Sequence, residues 1–396
     1  MVIDGKLLET MIAIRRDLHR HPELSGQEER TARQVSQWLE KLGIPCRRIG
    51  AGAGIVADLP GPRGVPAVAL RADMDALPIQ EETGLEFASV HAGCMHACGH
   101  DGHMSMVLGA AELLARESAL PAPVRLIFQP AEEIGCGAQA MIAAGALDGV
   151  AMIFGGHLDR HYPPGVIVVN DGIMNASTDS FCITIQGQGG HAARPHESVD
   201  AVVVGSLMVM ALQTIVSREV NPARPSVVTI GRFDAGTAAN VIAGQARLEG
   251  TLRAQDPEVR THLQTALRRI ADAVGKLHGA AVEIAFLDGT PALRNDPPMA
   301  ALARAAAAQV VGGGQVRAVQ TANMGGEDFS YYLEKTAGCY VRFGAQLRGR
   351  ESFPAHSSRF DFDENALAIG AAYFHAVARL AGARLNSEPI APTTHD

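Results

Sequence analysis

The sequence predicts an α/β protein in which a smaller α+β domain is inserted into a larger α/β domain. In roughly the first 160 residues, short buried strands alternate with helices and end in polar residues, which is typical of an open, mostly parallel sheet. Between about 180 and 290 the order becomes strand, helix, two strands, helix and strand, as in a ferredoxin-like α+β domain. Helices and strands alternate again after Thr290. We therefore expect one domain of residues 1–179 and 291–396, interrupted by a second of residues 180–290.

The individual elements follow from local patterns. An amphipathic stretch from Leu8 to Leu42, broken near HRHPELSG, predicts two helices, the second ending at Gly43, a residue type that favours helix C-termini. The runs GIVADLPG, AVALRADMDALP, VRLIFQPAEE and AMIFGGHLD predict buried strands with polar ends, and HMSMVLGAAELLARES predicts a helix. In the inserted domain, the apolar run Ala201–Val216 predicts a buried helix.

Composition and charge argue against a nucleic-acid-binding, secreted or membrane-spanning protein. The chain has 396 residues, a formal net charge of −8 and no run of Lys or Arg, so we expect no nucleic-acid partner. The N-terminus lacks the uninterrupted apolar stretch of a signal peptide, and the longest apolar run is shorter than the roughly 18 residues of a membrane span. The six scattered cysteines form no C-x-x-C pair, and we expect free thiols in a cytoplasmic protein.

The stretch MHACGHDGHM is the densest collection of reactive side chains in the chain. Cys98 and His100 are two residues apart, so on an extended segment both side chains lie on one face and can bind one cation. Two other interpretations stay open for this stretch alone. Cys98 could be a nucleophile whose pKa is lowered by His100 and His103, or the stretch could be a loop with a buried cysteine and solvated histidines.

Further candidates for the same site lie downstream, at predicted strand ends. Glu132 and Glu133 follow a buried strand, and adjacent carboxylates repel each other unless a cation is near, so one could bind a metal while the other acts as general base. The alternative is a solvated pair at a helix N-terminus. His157 ends another strand, where a lone histidine is often structural, and His356 carries little signal alone. Together with Cys98 and His100, these residues form a plausible ligand set for two metal ions: Cys98, His100, Glu133, His157 and His356.

A series of motifs spans nearly the whole chain, from about His19 to Glu364. It comprises LHRHPELSGQEERTA, RADMDALP, MHACGHDGH, FQPAEE, GGHAARPH, NVI, GTLR, GGEDF and AHSSRFDFDE. In this order, the series resembles the M20 metallopeptidase family, and within it the amidohydrolase branch of hippurate hydrolases and N-acyl-amino-acid amidohydrolases. The resemblance implies a di-metal α/β catalytic domain with an inserted ferredoxin-like lid domain, in agreement with the predicted segmentation.

The resemblance also implies roles for individual residues. Cys98, His100, Glu133, His157 and His356 would hold two divalent ions, of which Zn, Mn, Co and Ni are all acceptable to such donors. Glu132 would be the general base. In the lid, His191 would stabilise the transition state, and Asn240 and Arg253 would hold the substrate. The lid would also join subunits into a homodimer or homotetramer.

Some positions depart from the family pattern. Ala243 replaces a usual proline, which affects loop rigidity, and Asp159 replaces an aromatic residue found in many members. Asp73 and Asp75 lie in the segment that carries a metal-ligating His and its orienting Asp in other branches. Here we expect Asp73 and Asp75 to orient the metal ligands by hydrogen bonds without binding the metal themselves.

The function predicted from the sequence is metal-dependent hydrolysis of the amide bond in an N-acyl amino acid, of the hippurate or N-acetyl-amino-acid type. A dipeptidase or carboxypeptidase of the same family is an alternative. A cysteine hydrolase that uses Cys98 is a weaker one, and no G-x-S-x-G motif supports a serine hydrolase. A non-catalytic metal-binding scaffold would not need the intact Glu132.

Overall fold

The computed structural model describes residues 3–50, 52–287, 289–319 and 323–387. The α-helices are α1 (Gly5–Arg20), α2 (Glu29–Lys41), α3 (His100–Ala115), α4 (Gly137–Ala143), α5 (Ala201–Thr214), α6 (Pro257–His278), α7 (Pro297–Val311), α8 (Ser330–Leu333) and α9 (Asn365–Ser387). The two N-terminal helices confirm the prediction for residues 8–42, and α2 is followed by Gly43 with a positive φ of 72°.

The strands are β1 (Cys46–Ile49), β2 (Gly54–Leu59), β3 (Ala67–Asp73), β4 (Val124–Gln129), β5 (Val150–Asp159), β6 (Ile167–Val168), β7 (Gly172–Asn175), β8 (Ser177–Gln186), β9 (Gly190–His191), β10 (Ser226–Ala235), β11 (Val241–Ile242), β12 (Gln245–Ala254), β13 (Ala281–Leu287), β14 (Leu293–Asn295), β15 (Val316–Arg317) and β16 (Ala337–Gly344). The chain divides into two compact units. Among the described residues, unit 1 comprises 3–50, 52–172, 294–319 and 328–387, and unit 2 comprises 173–287, 289–293 and 323–327.

Unit 1 contains an eight-stranded mixed sheet in the order β1-β2-β4-β3-β5-β16-β6-β15. Its centre is parallel, since β3 pairs in parallel with β4 and β5, and β5 pairs in parallel with β16. Every residue of β3 is buried, as expected for a central strand covered on both faces. Helices α3 and α9 pack against each other and against β3. The parallel strands end at one edge, so the polar residues that follow β3, β4 and β5 meet there.

Unit 2 contains a four-stranded antiparallel sheet in the order β10-β12-β8-β13. Numbered along the chain within this unit, that order is 2-3-1-4, which is the ferredoxin-like arrangement. Helices α5 and α6 pack against each other and against β12, and they bury the apolar cluster of the unit. The prediction of an α/β protein with an inserted ferredoxin-like domain is confirmed. Unit 2 extends beyond the expected 180–290 at both ends and includes residues 323–327.

Helix α5 differs from its prediction as a buried helix. Val203, Leu207 and Met210 are 48%, 45% and 70% exposed, and they recur at helical spacing on one face. The helical path also continues through a π-helical turn to Glu219. Two helical segments in the described chain, Ala201–Glu219 and Asn365–Ser387, are long and apolar enough to cross a membrane by length and composition. This is weak evidence for a membrane span because core helices pass the same test.

A charged cluster lies buried in unit 1. The guanidinium of Arg15, 1% exposed, donates to the carboxylates of Asp101, Asp361 and Glu364 at 2.8–3.0 Å. The ring of His19 contacts Asp101 through Nδ1 at 2.9 Å and Glu81 through Nε2 at 3.3 Å. Burial alone lowers the pKa of His19, but these two carboxylates outweigh it and raise that pKa from 6.5 to about 8.

The raised pKa of His19 predicts a pH dependence of stability. Below pH 6.5 His19 is protonated in both the folded and the unfolded chain, and its contribution to the free energy of unfolding is complete. That contribution is lost as the pH rises through about 8. The difference between 6.5 and 8 corresponds to about 2 kcal/mol. We expect the stability advantage of the wild type over His19→Gln, measured by urea unfolding, to shrink by about this amount between pH 6 and pH 9. A constant difference would contradict the prediction.

Candidate metal centre

Three side chains near the start of α3 and the end of β5 form the first group of donors. The Sγ atom of Cys98 lies 3.3 Å from Nε2 of His157. His100 begins α3, and its Nδ1 lies 2.9 Å from the backbone oxygen of Asp75, so Nδ1 carries the proton and Nε2 is left as a bare acceptor. His157 is oriented in the same way, since its Nδ1 lies 2.7 Å from the backbone oxygen of Leu158. Both imidazoles thus present the nitrogen that a metal requires.

His103 lies beside this group, but both of its ring nitrogens are occupied. Its Nδ1 lies 2.7 Å from Oδ1 of Asp73, and its Nε2 accepts the Leu158 N–H at 3.0 Å. Asp73 is held in turn by Arg71, which donates to Oδ2 at 2.7 Å. A series of hydrogen bonds therefore runs from Arg71 through Asp73 and His103 to the backbone of Leu158. It fixes the position of the backbone next to His157. The geometry fits an orienting role for Asp73 rather than direct ligation.

The two adjacent glutamates follow β4 and share an anchor. The backbone N–H groups of Glu132 and Glu133 donate to Oδ1 and Oδ2 of Asp75 at 3.1 and 2.9 Å. Their side chains approach Nε2 of His100, at 4.0 Å for Glu132 Oε2 and 3.8 Å for Glu133 Oε1. Asp75 thus orients three site residues at once, two by its carboxylate and His100 by its carbonyl.

His356 completes the set from a distant part of the sequence. Its Nε2 lies 3.4 Å from Oε2 of Glu133, and its side chain is 54% exposed. The contact with Glu133 is the main reason that the pKa of His356 is raised, with burial acting in the opposite direction. The structure therefore places all five sequence-predicted ligands at one site in unit 1.

The donor atoms fit a divalent cation. Within the described chain, Cys98, His100 and His157 offer ligand atoms within 4.8 Å of one another, and so do Cys98, Glu133 and His356. Two buried atoms of the set, Nε2 of His100 and Oε1 of Glu133, have no hydrogen-bond partner among the described residues. Such atoms are costly to leave unsatisfied, and a cation between them would satisfy both. Thiolate, imidazole and carboxylate together suit zinc and similar transition metals.

Burial is the largest influence on the pKa values of Cys98 and His157. It raises the pKa of Cys98 well above the usual range, an effect that Glu133 reinforces and His100 opposes. It lowers the pKa of His157 far below 6.5, and the neighbouring His103 and Arg342 act in the same direction. A nucleophilic cysteine needs a lowered pKa, so the surroundings of Cys98 argue against a cysteine hydrolase.

The three lid candidates, His191, Asn240 and Arg253, lie in unit 2. Strands β9 and β11 pair His191 with Val241, which brings Asn240 close, and the backbone oxygen of Asn240 accepts the Ala192 N–H at 3.2 Å. Nδ1 of His191 accepts the Ala193 N–H at 3.0 Å, so the ring proton is on Nε2 of this exposed side chain. Arg253 lies on β12 and is half-buried, and its guanidinium contacts no carboxylate among the described residues.

Comparisons with known proteins agree with the site. The model of the peptidase family M20/M25/M40 matches residues 69–380. The chain belongs to this family. The N-acetylcysteine deacetylase of Bacillus subtilis (strain 168) is 42% identical over 374 residues, covering 93% of this chain and 96% of that protein. An N-acyl-L-amino acid amidohydrolase of Geobacillus stearothermophilus is 44% identical over 278 residues, covering 70% and 75%.

A solved structure of an M20 protein is also similar. The Bacillus subtilis YXEP protein, described as a dinuclear metal binding peptidase, superimposes with a TM-score of 0.83 at 38% identity, covering 96% of this chain and 99% of that one. The M20 resemblance inferred from the motifs is thus confirmed, and the protein is an M20-family hydrolase.

Sequence reasoning missed several residues of this M20 site. The buried Arg71 and Asp328 form one network, in which Arg71 donates to Asp328 at 2.9 Å and Gln129 donates to the same carboxylate. Arg71 lies within RADMD and Asp328 within GGEDF. Both residues therefore belong to the family motifs, but the motifs do not indicate what the two side chains do. The sequence indicates His103 only as a neighbour of Cys98, because nothing in it shows that both ring nitrogens are engaged.

The position of Cys98 predicts a spectroscopic signature. If Co²⁺ is bound at this site, coordination by the thiolate should give a sulfur-to-cobalt charge-transfer absorption in the near ultraviolet. We expect Cys98→Ser to abolish this absorption, and Cys136→Ser, which replaces an exposed cysteine outside the donor set, to preserve it. An unchanged absorption in Cys98→Ser would remove Cys98 from the ligand set.

Proposed function

We propose that the protein is a metal-dependent amidohydrolase that cleaves the amide bond of N-acyl amino acids to a carboxylate and a free amino acid. The observation that carries the proposal is the position of Glu132, a carboxylate beside the five donors whose backbone is fixed by Asp75. A structural metal site would need no such group. The names of two relatives, an N-acetylcysteine deacetylase and an N-acyl-L-amino acid amidohydrolase, support this substrate class.

The proposed ligands are Cys98, His100, Glu133, His157 and His356, holding two divalent ions of the Zn, Mn, Co or Ni type. Cys98 belongs to both donor groups, which favours two adjacent ion positions. Bound there, such ions polarise a carbonyl group and make water more acidic. Glu132 takes a proton from the attacking water and delivers it to the leaving nitrogen.

The lid residues have complementary roles in this proposal. The Nε2–H of His191 donates to the oxygen on which negative charge develops. Asn240 hydrogen-bonds the substrate. The guanidinium of Arg253 binds the free carboxylate of the amino-acid part of the substrate through bidentate, charge-assisted hydrogen bonds. The half-buried position of Arg253 supports this, because burial lowers the pKa of the guanidinium and an anionic ligand would offset that penalty.

The experiment is a substrate panel with metal-loaded protein. Acetyl-, benzoyl- and long-chain acyl-amino acids are compared with their carboxamides and with free dipeptides. We expect turnover of N-acyl amino acids, discrimination against the carboxamides, and loss of that discrimination in Arg253→Ala. Preferential turnover of dipeptides would instead favour a dipeptidase or carboxypeptidase, an alternative supported by the family name and by the YXEP protein.

We also propose that the protein is a cytoplasmic homodimer or homotetramer joined through the lid. The exposed face of α5 supports this, with Leu207 and Met210 at 45% and 70% exposure. Strand β10 is an edge of the lid sheet and carries Phe233, which is 39% exposed. Apolar surface of this kind beside an open strand edge suits contact with a second copy. Analytical ultracentrifugation of the wild type and of Met210→Glu tests the association.

A further inference from the structure

Two non-glycine residues in the described chain have a positive φ, and both lie in the metal centre. They are Ala131, with a φ of 57°, and His356, with a φ of 67°. The left-handed conformation is unfavourable for alanine because its Cβ crowds the following carbonyl oxygen. Strained backbone of this kind persists only where surrounding contacts hold it. Ala131 directly precedes Glu132, so the strain lies at the point where the chain turns from β4 to the two glutamates.

Three successive N–H groups at this turn each donate to a carboxylate. Those of Glu132 and Glu133 donate to Asp75, as described above, and that of Ala131 donates to Oε1 of Glu28 at 2.8 Å. The turn is thus held at three consecutive residues by two acidic side chains from other parts of the fold. Of these three contacts, the one from Glu28 is made by the N–H of the strained residue itself, whose carbonyl oxygen accepts the Gly137 N–H at 3.1 Å.

The surroundings of Glu28 indicate that its side chain serves the contact with Ala131 and not the adjacent helix. It is fully buried and occupies the position before α2, yet it makes no hydrogen bond to the N-terminus of that helix. Glu23 does that instead, accepting the N–H groups of Arg30 and Thr31 at 3.0 and 2.8 Å. Burial raises the pKa of Glu28, a penalty partly offset by backbone N–H groups that include that of Ala131. The local helix therefore does not account for a buried acid at position 28.

We propose that Glu28 is a positioning residue that holds Ala131 in the left-handed conformation and thereby directs the carboxylates of Glu132 and Glu133 into the metal centre. The inference rests on the proposed roles of these two glutamates as general base and metal ligand. Without the Glu28 contact, Ala131 relaxes toward an ordinary conformation and both following side chains turn away. Glycine at position 131 takes the left-handed conformation without strain, so it should make the contact dispensable.

The test is a rescue experiment. The variants are Glu28→Ala, the same change combined with Ala131→Gly, the conservative Glu28→Gln, and Glu23→Ala as a matched control that removes a nearby carboxylate from two backbone N–H groups. Two readouts are recorded for each variant: kcat and KM for an N-acyl amino acid, and the visible absorption spectrum of the Co²⁺-loaded protein. The spectrum reports the geometry at Glu133 whether or not substrate is turned over.

We expect Glu28→Ala to lower kcat about 10- to 100-fold with KM changed by less than about threefold, and to alter the cobalt spectrum. Ala131→Gly in that background should recover at least about tenfold in kcat and restore the spectrum. Glu28→Gln should stay close to the wild type because its amide oxygen accepts the same N–H. Glu23→Ala should lower the thermal midpoint without changing kcat or the spectrum.

An unaltered kcat and spectrum in Glu28→Ala would overturn the proposal, and so would a loss that Ala131→Gly fails to relieve. If Glu28→Ala does not fold, Glu28→Asp serves in its place, since it retains the charge but draws the acceptor back by about 1.5 Å. If the wild type hydrolyses no amide, the proposed function fails and the cobalt spectra alone decide. A shift reversed by Ala131→Gly then supports the positioning role, and an unchanged spectrum contradicts it.

Discussion

Replacing Glu132 by glutamine is expected to lower kcat by about 10²- to 10⁴-fold while leaving the metal content of the protein near that of the wild type. Glutamine fills the same space but cannot take a proton from water. The neighbouring Glu133 lies 3.4 Å from His356 and 3.8 Å from His100, and it retains its place among the donors. We therefore expect the substitution at Glu132 to reduce activity without reducing metal binding, which depends on Glu133.

The measurement combines steady-state kinetics with metal analysis of the purified variants. Glu133→Gln is the matched control, because it removes a proposed ligand one residue away and should reduce the metal content together with activity. The opposite pattern, with Glu132→Gln losing metal and activity in proportion, would show that the two glutamates have exchanged roles.

Replacing His191 by alanine is expected to lower kcat about 10²- to 10³-fold, the usual loss when a donor to a developing oxyanion is removed. The contact from the Ala193 N–H fixes the acceptor at Nδ1, so Nε2–H is available to the substrate. His196→Ala is the control, since His196 is exposed in the same loop and has no proposed role. Full activity in His191→Ala would contradict the assignment.

A mixing experiment tests which chain His191 serves. Glu132→Gln and His191→Ala proteins are each expected to be nearly inactive, and they are combined under conditions that exchange subunits. Recovered activity would show that His191 of one chain serves the site of another. No recovery would show that it serves the site of its own chain.

Much of the fold could be predicted because local patterns report it directly. Strands β3, β4 and β5 are apolar runs ending in polar residues, and the order of elements in unit 2 is distinctive even without coordinates. Helix α5 was mispredicted as buried because an apolar sequence does not reveal whether its surface faces a core or solvent. Met210, at 70% exposure, has the same hydropathy as Met208, which is fully buried.

The candidate site was predictable only in part. The five donors have side chains of types that bind metals, and strand ends placed two of them, Glu133 and His157, at one edge of the sheet. The residues that orient them carry no such signal. Glu28 contacts a backbone N–H 103 positions away, and Arg71 joins Asp328 across 257 positions. Contacts of this kind depend on how the elements pack in space, which local sequence patterns do not record.

The central claim is that hydrolysis of N-acyl amino acids depends on divalent ions held by the five donors. Titrating the metal-free protein with Zn²⁺, Mn²⁺, Co²⁺ or Ni²⁺ while measuring hydrolysis of an N-acetyl or N-benzoyl amino acid tests it most directly. We predict negligible activity without metal and a rise that saturates at about two ions per chain. Equal activity in the metal-free and metal-loaded protein, verified by elemental analysis of both, would contradict the account.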